Sequence, residues 1–472
     1  MKRQSLWTPR RWQYLIRIQA RWPLHCARRH YYMDEYMKEQ SDHNSGTIHD
    51  IVIKLRERTG VDIGYHIRPK SRENLLKYQP KQEELPTRSM KDSYTIVTVP
   101  LYGNELIRER YVNHLGRVRL GRLMEDMDMF AVWICHQHIQ LPNLPKNVFL
   151  PYTFVTILVD RVDFKNTEYL ALNKNLELSG FVSWTGSSSM EITIYVRQPV
   201  DGEYVNVTKA LFIMVARNAT NTGPAPANTL KPADEMEQKY WEAANERQIE
   251  RKRARGESVF ISPPLEHEQA IMYNVLQRTT PPYTFELNKR ILPHRCRWMK
   301  DSMCSTLLKP YPQNRNSQNT VFGGYLMRQA VELTVVMASV YVGDTPRLKC
   351  ISDISFLKPV MVTDFLQMNA HVVYTSHNYL QLMTIAQNFN TDRQEHTTTN
   401  IFYITFKADT IVDEVLPGSY REMLWYIHGR RKFLSALNLQ MQYFPDKEDE
   451  DDDEDQKDHK EEETCQQEAP AK

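Results

Sequence analysis

Asn113-His-Leu-Gly116-Arg-Val-Arg-Leu-Gly121-Arg-Leu-Met-Glu-Asp-Met-Asp128 and Asn316-Ser-Gln-Asn-Thr320-Val-Phe-Gly323-Gly324-Tyr-Leu-Met-Arg-Gln-Ala-Val-Glu332 are two versions of one helix start. Aligned on Gly121 and Gly324, each has an Asn eight residues before the glycine and a carboxylate seven or eight after it. Seven residues make about two helical turns, so Gly121 and Asp128 share a face. Glycine lets another group approach the backbone, and a helix N-terminus presents unpaired N–H groups to a developing anion. A carboxylate beside an oxyanion donor is what a hydrolytic site needs.

The likeness runs on downstream. Asp160-Arg-Val-Asp-Phe164 parallels Asp353-Ile-Ser-Phe356, Ser183-Trp-Thr185 parallels Val373-Tyr-Thr375, and Phe212-Ile-Met-Val215 parallels Phe402-Tyr-Ile-Thr405. Trp184 to Phe212 and Tyr374 to Phe402 are both 28 residues. Gly121 to Phe164 is 43 residues against 32 from Gly324 to Phe356, which places an insertion of 11 in the first copy, within 136–153. Two diverged copies of one unit are the simplest account.

Each copy reads as one helix followed by strands. Leu120, Leu123, Met124, Met127, Phe130, Ala131 and Ile134 have helical spacing, as do Leu326, Ala330, Leu333, Met337 and Ala338. Strands rich in β-branched and aromatic residues are expected at 154–159, 178–184, 190–196 and 210–216, then at 350–356, 367–374, 380–386 and 397–406. The expected class is α+β: two tandem units, each a long central helix wrapped by an antiparallel sheet. Their expected bounds are 90–220 and 286–435. Between them, 221–285 opens on a turn-rich stretch and carries a charged helix over 233–257, which Ser262-Pro-Pro stops. It reads as a surface connection.

The net charge of +2 hides segregation. Residues 1–33 hold eight Lys/Arg and no acid, and 446–472 hold fourteen acids and four Lys. The first reads as a mitochondrial transit peptide, which directs the chain to the matrix and is cut near 29–33. The second reads as a disordered, solvated tail. The middle is nearly neutral, which gives no nucleic-acid footprint. No apolar run approaches the roughly 18 residues that span a bilayer. Six cysteines (Cys26, Cys135, Cys296, Cys304, Cys350, Cys465) form no CxxC pair, so neither a disulfide framework nor a zinc site is indicated. No dinucleotide fingerprint, phosphate-binding loop or HExxH motif occurs, and no cofactor is called for.

Phe322-Gly-Gly-Tyr-Leu-Met-Arg-Gln-Ala-Val-Glu-Leu333, with Asn316 ahead of it, resembles the hotdog motif of acyl-CoA thioesterases. Gly121 to Asp128, Ser183-Trp-Thr-Gly-Ser-Ser-Ser-Met-Glu191, Val215-Ala-Arg-Asn-Ala-Thr-Asn-Thr-Gly223 and His396-Thr-Thr-Thr-Asn400 resemble segments of the mitochondrial double-hotdog acyl-CoA thioesterases. The ordered set covers roughly 90–435. The resemblance implies two tandem hotdog domains paired as a pseudo-dimer. It implies hydrolysis of acyl-CoA to free acid and CoA, and a homo-oligomer, a trimer of double-hotdog chains.

Carried over residue by residue, the resemblance pairs Asn316 with Asp128. Asp128 would activate water or attack directly, Asn316 would orient water or thioester, and backbone N–H groups of Gly323 and Gly324 would hold the oxyanion. The mirrored pair is Asn113 with Glu332, beside Gly121. It departs from the pattern, because Val331 stands seven after Gly324 and the acid comes one later. Arg328, four residues before Glu332, offers it an intrahelical ion pair, and Asn113 suits a turn. Arg315, Arg117 and Arg119 flank the two starts and suit CoA phosphates. His136 and His138 read as surface histidines, and Thr397–Thr399 and Ser187–Ser189 as strand and turn hydroxyls. Two other readings fit a hotdog: an acyl-CoA hydratase or dehydratase, for which His114 is present without its Asp, and a non-catalytic acyl-CoA binding protein.

Overall fold

The computed structural model describes residues 33–437, without 35, 39–43, 61–70, 165–169, 201, 284–285, 287–288, 317–319 and 391–394. The chain divides into two compact units, Met1–Phe433 and Leu434–Lys472, and 434–437 are described in the second. The transit peptide expected over 1–33 (save Met33) and the acidic tail lie outside the described residues.

Along the chain come β1 (Asn44–Thr47), α1 (Ile48–Thr59), β2 (Thr95–Val99), the short α2 (Glu105–Glu109) and the first long helix, α3 (Leu120–His138). Four strands follow: β3 (Tyr152–Phe164), β4 (Leu176–Thr185), β5 (Ser189–Val200) and β6 (Glu203–Asn218). The connection holds α4 (Glu235–Gly256), α5 (Glu266–Thr279) and β7 (Cys296–Trp298). The second half repeats the first with β8 (Met303–Leu308), α6 (Gly323–Val342), β9 (Arg347–Phe356), β10 (Phe365–Ser376), β11 (Tyr379–Asn390) and β12 (Glu395–Lys407). β13 (Glu414–Leu416) and α7 (Tyr420–Ala436) close it.

Among the described residues one sheet of eleven strands runs β1-β2-β4-β5-β6-β3-β9-β12-β11-β10-β8. Its order reads the same from both ends once β1 is set aside. The halves join at β3 and β9, which pair antiparallel, Val159 opposite Ile354 and Val162 opposite Ile351. Matching residue n with n + 192 turns that pairing into itself. β13 and β7 form a separate parallel pair. No helix among the described residues is long and apolar enough to cross a membrane.

The sheet wraps the two long helices, which pack on each other. Leu123, Met124, Met127, Phe130, Ala131, Ile134 and Cys135 of α3 are all fully buried. Burial on every side explains why its later stretch, 129–135, is apolar all round rather than striped. Gly180 in β4 permits the approach: a Cβ there would stand 2.7 Å from Ile134 Cδ1. This is the expected α+β double hotdog.

The departures have local causes. β6 covers 203–218 where 210–216 was expected, because the polar ends of a hairpin keep pairing beyond the core. Ahead of the expected first domain, β1 joins the sheet and α1 buries Ile48 and Ile51. A Thr47–Asp50 capping box and left-handed Gly60 (φ 63°) bound α1. The charged helix α4 is tied down: Glu191 of β5, fully buried, meets Arg247 at 2.5 Å and Arg251 at 2.6 Å.

Candidate active site

One backbone hydrogen bond from the asparagine recurs before α3 and before α6. Asn113 N–H donates to Arg117 O at 2.9 Å and Asn316 N–H to Thr320 O at 2.8 Å. Neither helix has a side-chain N-cap, so the first-turn N–H groups must find other partners. The helices cross at their glycines. A Cβ on Gly324 would lie 2.9 Å from the Glu125 backbone, and one on Gly121 would lie 3.2 Å from Arg328 O. Each start therefore rests on the second turn of the other helix, and a carboxylate from each helix reaches the other's N-terminus.

At the α6 start that carboxylate is Asp128. It is buried, Oδ1 accepts from Thr156 Oγ1 at 2.6 Å, and the carboxylate accepts the Gly324 N–H. A Cβ on Gly323 would be 3.1 Å from Asp128 Oδ2. Burial pushes the Asp128 pKa up to about 6, against the two hydrogen bonds and with help from the Glu125 charge. Asp126 is also pushed up to about 6 by burial, but it faces Tyr111, whose hydroxyl donates to it at 2.5 Å.

Asp128, Thr156, Asn316, Thr320, Gly323 and Arg315 line one cavity of about 740 Å³, with apolar Met129, Val132, Phe154 and Leu326. The Asn316 amide donates to Thr320 Oγ1 at 2.7 Å, and its Oδ1 accepts Thr320 N–H at 3.2 Å. The structure thus brings Asp128, Asn316, Gly323 and Arg315 together, with Gly324 bonded to Asp128.

The mirrored start is built differently. Glu332 does lie beside Gly121, where a Cβ would be 3.2 Å from Oε1. It is held by Arg119 through Nε to Oε1 at 2.6 Å and Nη2 to Oε2 at 2.8 Å. The expected pair within α6 does not form. Arg328 instead reaches Glu125 on α3 at 3.2 Å, because crossing helices bring those charges closer than their own next turn does. Asn113 Oδ1 accepts the N–H groups of Leu115 (3.0 Å) and Arg117 (2.9 Å), a turn within its own loop. Neither Asn113 nor Glu332 lines the cavity. Arg119 is engaged by Glu332, and Arg117 is exposed outside the lining.

The register shows what the second start lacks. Thr156 pairs with Met214 as Leu348 pairs with Phe406, each 192 residues apart. Leu348 thus stands where Thr156 does. Val331 stands where Asp128 does, and Leu120 where Gly323 does, each 203 residues apart. Sequence reasoning missed Thr156, and the duplication could not flag it, since its counterpart is apolar. The two histidines read as surface are buried at the end of α3. His138 Nε2 lies 2.9 Å from Asn228 O, and His136 meets the Phe154 ring edge-on at 4.8 Å.

No protein-family model matches the chain. It is 34% identical to "Acyl-coenzyme A thioesterase 9, mitochondrial" of Homo sapiens over 392 residues, 82% of this chain and 88% of that protein. It is equally 34% identical to "Acyl-coenzyme A thioesterase 10, mitochondrial" of Mus musculus over 393 residues, 82% of this chain and 89% of that one. Among solved structures, an apo hexameric acyl-CoA thioesterase is 28% identical, covering 36% of this chain and 97% of its own, with a TM-score of 0.30. With a third of its residues shared along nearly the whole of both relatives, the chain belongs to the family of mitochondrial acyl-coenzyme A thioesterases 9 and 10.

Proposed function

We propose that the protein hydrolyses acyl-CoA thioesters to free acid and CoA in the cavity where Asp128 faces Asn316 and the first turn of α6. Asp128 carries the reading. It is a buried carboxylate bonded to the facing helix start, with a pKa near 6, on the wall of a cavity with room for an acyl chain. Such a base is largely ionised near neutrality and still takes a proton readily.

Asp128 removes a proton from water, and the water oxygen attacks the thioester carbonyl carbon. Charge builds on the carbonyl oxygen, where the Gly323 N–H and the positive end of α6 stabilise it. The C–S bond breaks, and Asp128 returns its proton to the CoA sulfur. In direct attack, Asp128 would expel CoA as its thiolate and form a mixed anhydride; water would then open the anhydride, freeing the acid and Asp128 and giving its proton to the thiolate. In either course Gly324 and Thr156 aim the carboxylate, Asn316 orients water or thioester, and Arg315 meets the CoA side. Asn113 and Glu332 shape the mirrored start, which leaves one reacting site per chain. A hydratase reading lacks support, since His114 is exposed and outside the cavity lining.

Thiol release by the purified chain from short, medium and long acyl-CoA tests this. Background rates on all three would end the hydrolase reading. The chain is mitochondrial like its relatives. A matrix address rests on the acid-free segment 1–33, and a reporter fused to it should enter the matrix. The homo-oligomer, a trimer on the family resemblance, is supported by exposed Val336 and Val340 on α6 and Met303 and Leu307 on edge strand β8. A monomer mass by light scattering would remove it.

A further inference from the structure

The cavity does not stay apolar to its end. Asp128, Val132 and His136 are four residues apart on α3 and all line it, so it follows one face of that helix. Its middle is apolar, with Val132, Met129, Phe154, and Val52 and Leu55 of α1. Beyond them the lining turns polar again with His136, Thr153, Arg217 and Asn221. His136 is 2% exposed, and its Nδ1 has no hydrogen-bond partner.

Among the described residues no carboxylate compensates the arginines at this far end. Burial first, then the charges of Arg58 and Arg72, push the His136 pKa down to about 3. The Arg72 guanidinium donates to Leu150 O at 2.8 Å and to Ala219 O and Thr153 Oγ1, both at 3.3 Å. Arg58 lies over the Trp133 ring at 5.9 Å. Burial alone shifts both arginines, downward, with no carboxylate acting against it. Arg217 donates to Asn221 O at 3.1 Å, and its Nε is unpartnered. Arg217 lines the cavity, Arg72 stands outside the lining against Thr153, the strand partner of Arg217, and Arg58 stands outside it near His136, with no acid paired to any of the three among the described residues. All three are half-buried, and a cluster of one sign away from bulk water attracts a counter-charge.

We propose that this end binds a carboxylate at the distal end of the acyl chain, so that the enzyme takes ω-carboxyacyl-CoA substrates as well as simple acyl-CoA. The proposal rests on the hydrolase reading above. CoA would leave by the rim where Leu357, Lys358 and Pro359 are exposed, whereas Tyr152, Thr153 and His136 in the other part of the lining are buried. Eight residues of α3 separate Asp128 from His136, about 12 Å of rise. One hydrogen bond at the far end takes about 2.9 Å of it. An extended chain advances roughly 1.2 Å per bond, which leaves seven or eight bonds. A dicarboxylic acyl group of about eight carbons fits that span.

The test compares octanoyl-CoA with suberyl-CoA, its ω-carboxy counterpart, on wild type, Arg217→Met, Thr153→Val and His136→Leu, with melting temperatures in parallel. Wild type should turn over suberyl-CoA with kcat/KM at least equal to that for octanoyl-CoA. Arg217→Met and Thr153→Val should lower the suberyl value about tenfold or more, as for lost hydrogen bonds to a charged group, and leave octanoyl within about threefold. A suberyl-CoA rate a hundredfold below octanoyl-CoA in wild type would overturn the proposal and spare the hydrolase reading. So would equal losses on both substrates in folded variants, which would assign Arg217 to a CoA phosphate. Failure of octanoyl-CoA itself would instead defeat the hydrolase reading.

Discussion

Arg119 and Glu332 grip each other across the start of α3, Nε to Oε1 at 2.6 Å and Nη2 to Oε2 at 2.8 Å, at the helix start that mirrors the one Asp128 faces. Both oxygens of that carboxylate are taken up by charge-assisted bonds, which leaves neither aimed at a water or a thioester carbon. Glu332→Gln should therefore keep its turnover within about threefold. About a third of each side chain is exposed, so the pair contributes under about 1 kcal/mol to stability. Steady-state kinetics and a melting curve check both; a hundredfold loss in a folded variant would restore a second reacting site.

Thr156 donates to Asp128 Oδ1 at 2.6 Å and favours its ionised form. Thr156→Val should raise the Asp128 pKa further and move the acid limb of kcat/KM to higher pH. Turnover at pH 7 should fall about tenfold, the size of one lost hydrogen bond to a charged group. Thr156→Ser should restore the profile. An unmoved limb in Thr156→Val would separate Thr156 from the chemistry.

The pH profile of the wild type should show one acid limb near pH 6, falling tenfold per unit below it, because Asp128 must be ionised. Stability runs the other way. The folded pKa lies above the ordinary 3.8, so Asp128 favours folding fully below about pH 4, and that contribution is lost as pH rises through about 6. At pH 8 the charged group costs up to roughly 3 kcal/mol. Asp128→Asn should therefore melt no lower than wild type at pH 8, and any gain should vanish toward pH 4. Calorimetry at the two pH values decides it.

Which of these parts could be read in advance follows from how local each one is. Gly121, Asp128, Gly324 and Asn316 lie on two short stretches whose spacing alone fixes a shared face. The strands were legible at their β-branched centres, but their polar ends were not. Thr156 meets Asp128 across 28 residues, 11 of them inserted, and only packing brings them together. The Arg328–Glu332 pair was the local choice, and it lost to partners on the crossing helix, which no single-helix argument contains. His136 was the nearer miss. Its spacing from Asp128 and Val132 already placed it on the same face.

The connection between the halves is predicted to be structural. Burial would raise the Glu191 pKa, yet Arg247 and Arg251 of α4 hold it below the ordinary value. Replacing both arginines by Ala would leave a fully buried carboxylate unpaired, at about 3–5 kcal/mol. Denaturant titration should show that loss, with kcat unchanged at low temperature. A shift under about 1 kcal/mol would mean α4 does not clamp the sheet.

The most direct measurement is the rate of CoA thiol release by Asp128→Asn against wild type on octanoyl-CoA at pH 7.5, with the melting temperature taken alongside. Removal of the base should lower kcat about 100- to 10,000-fold while the melting temperature holds or rises. A folded Asp128→Asn that releases thiol at the wild-type rate would contradict the account.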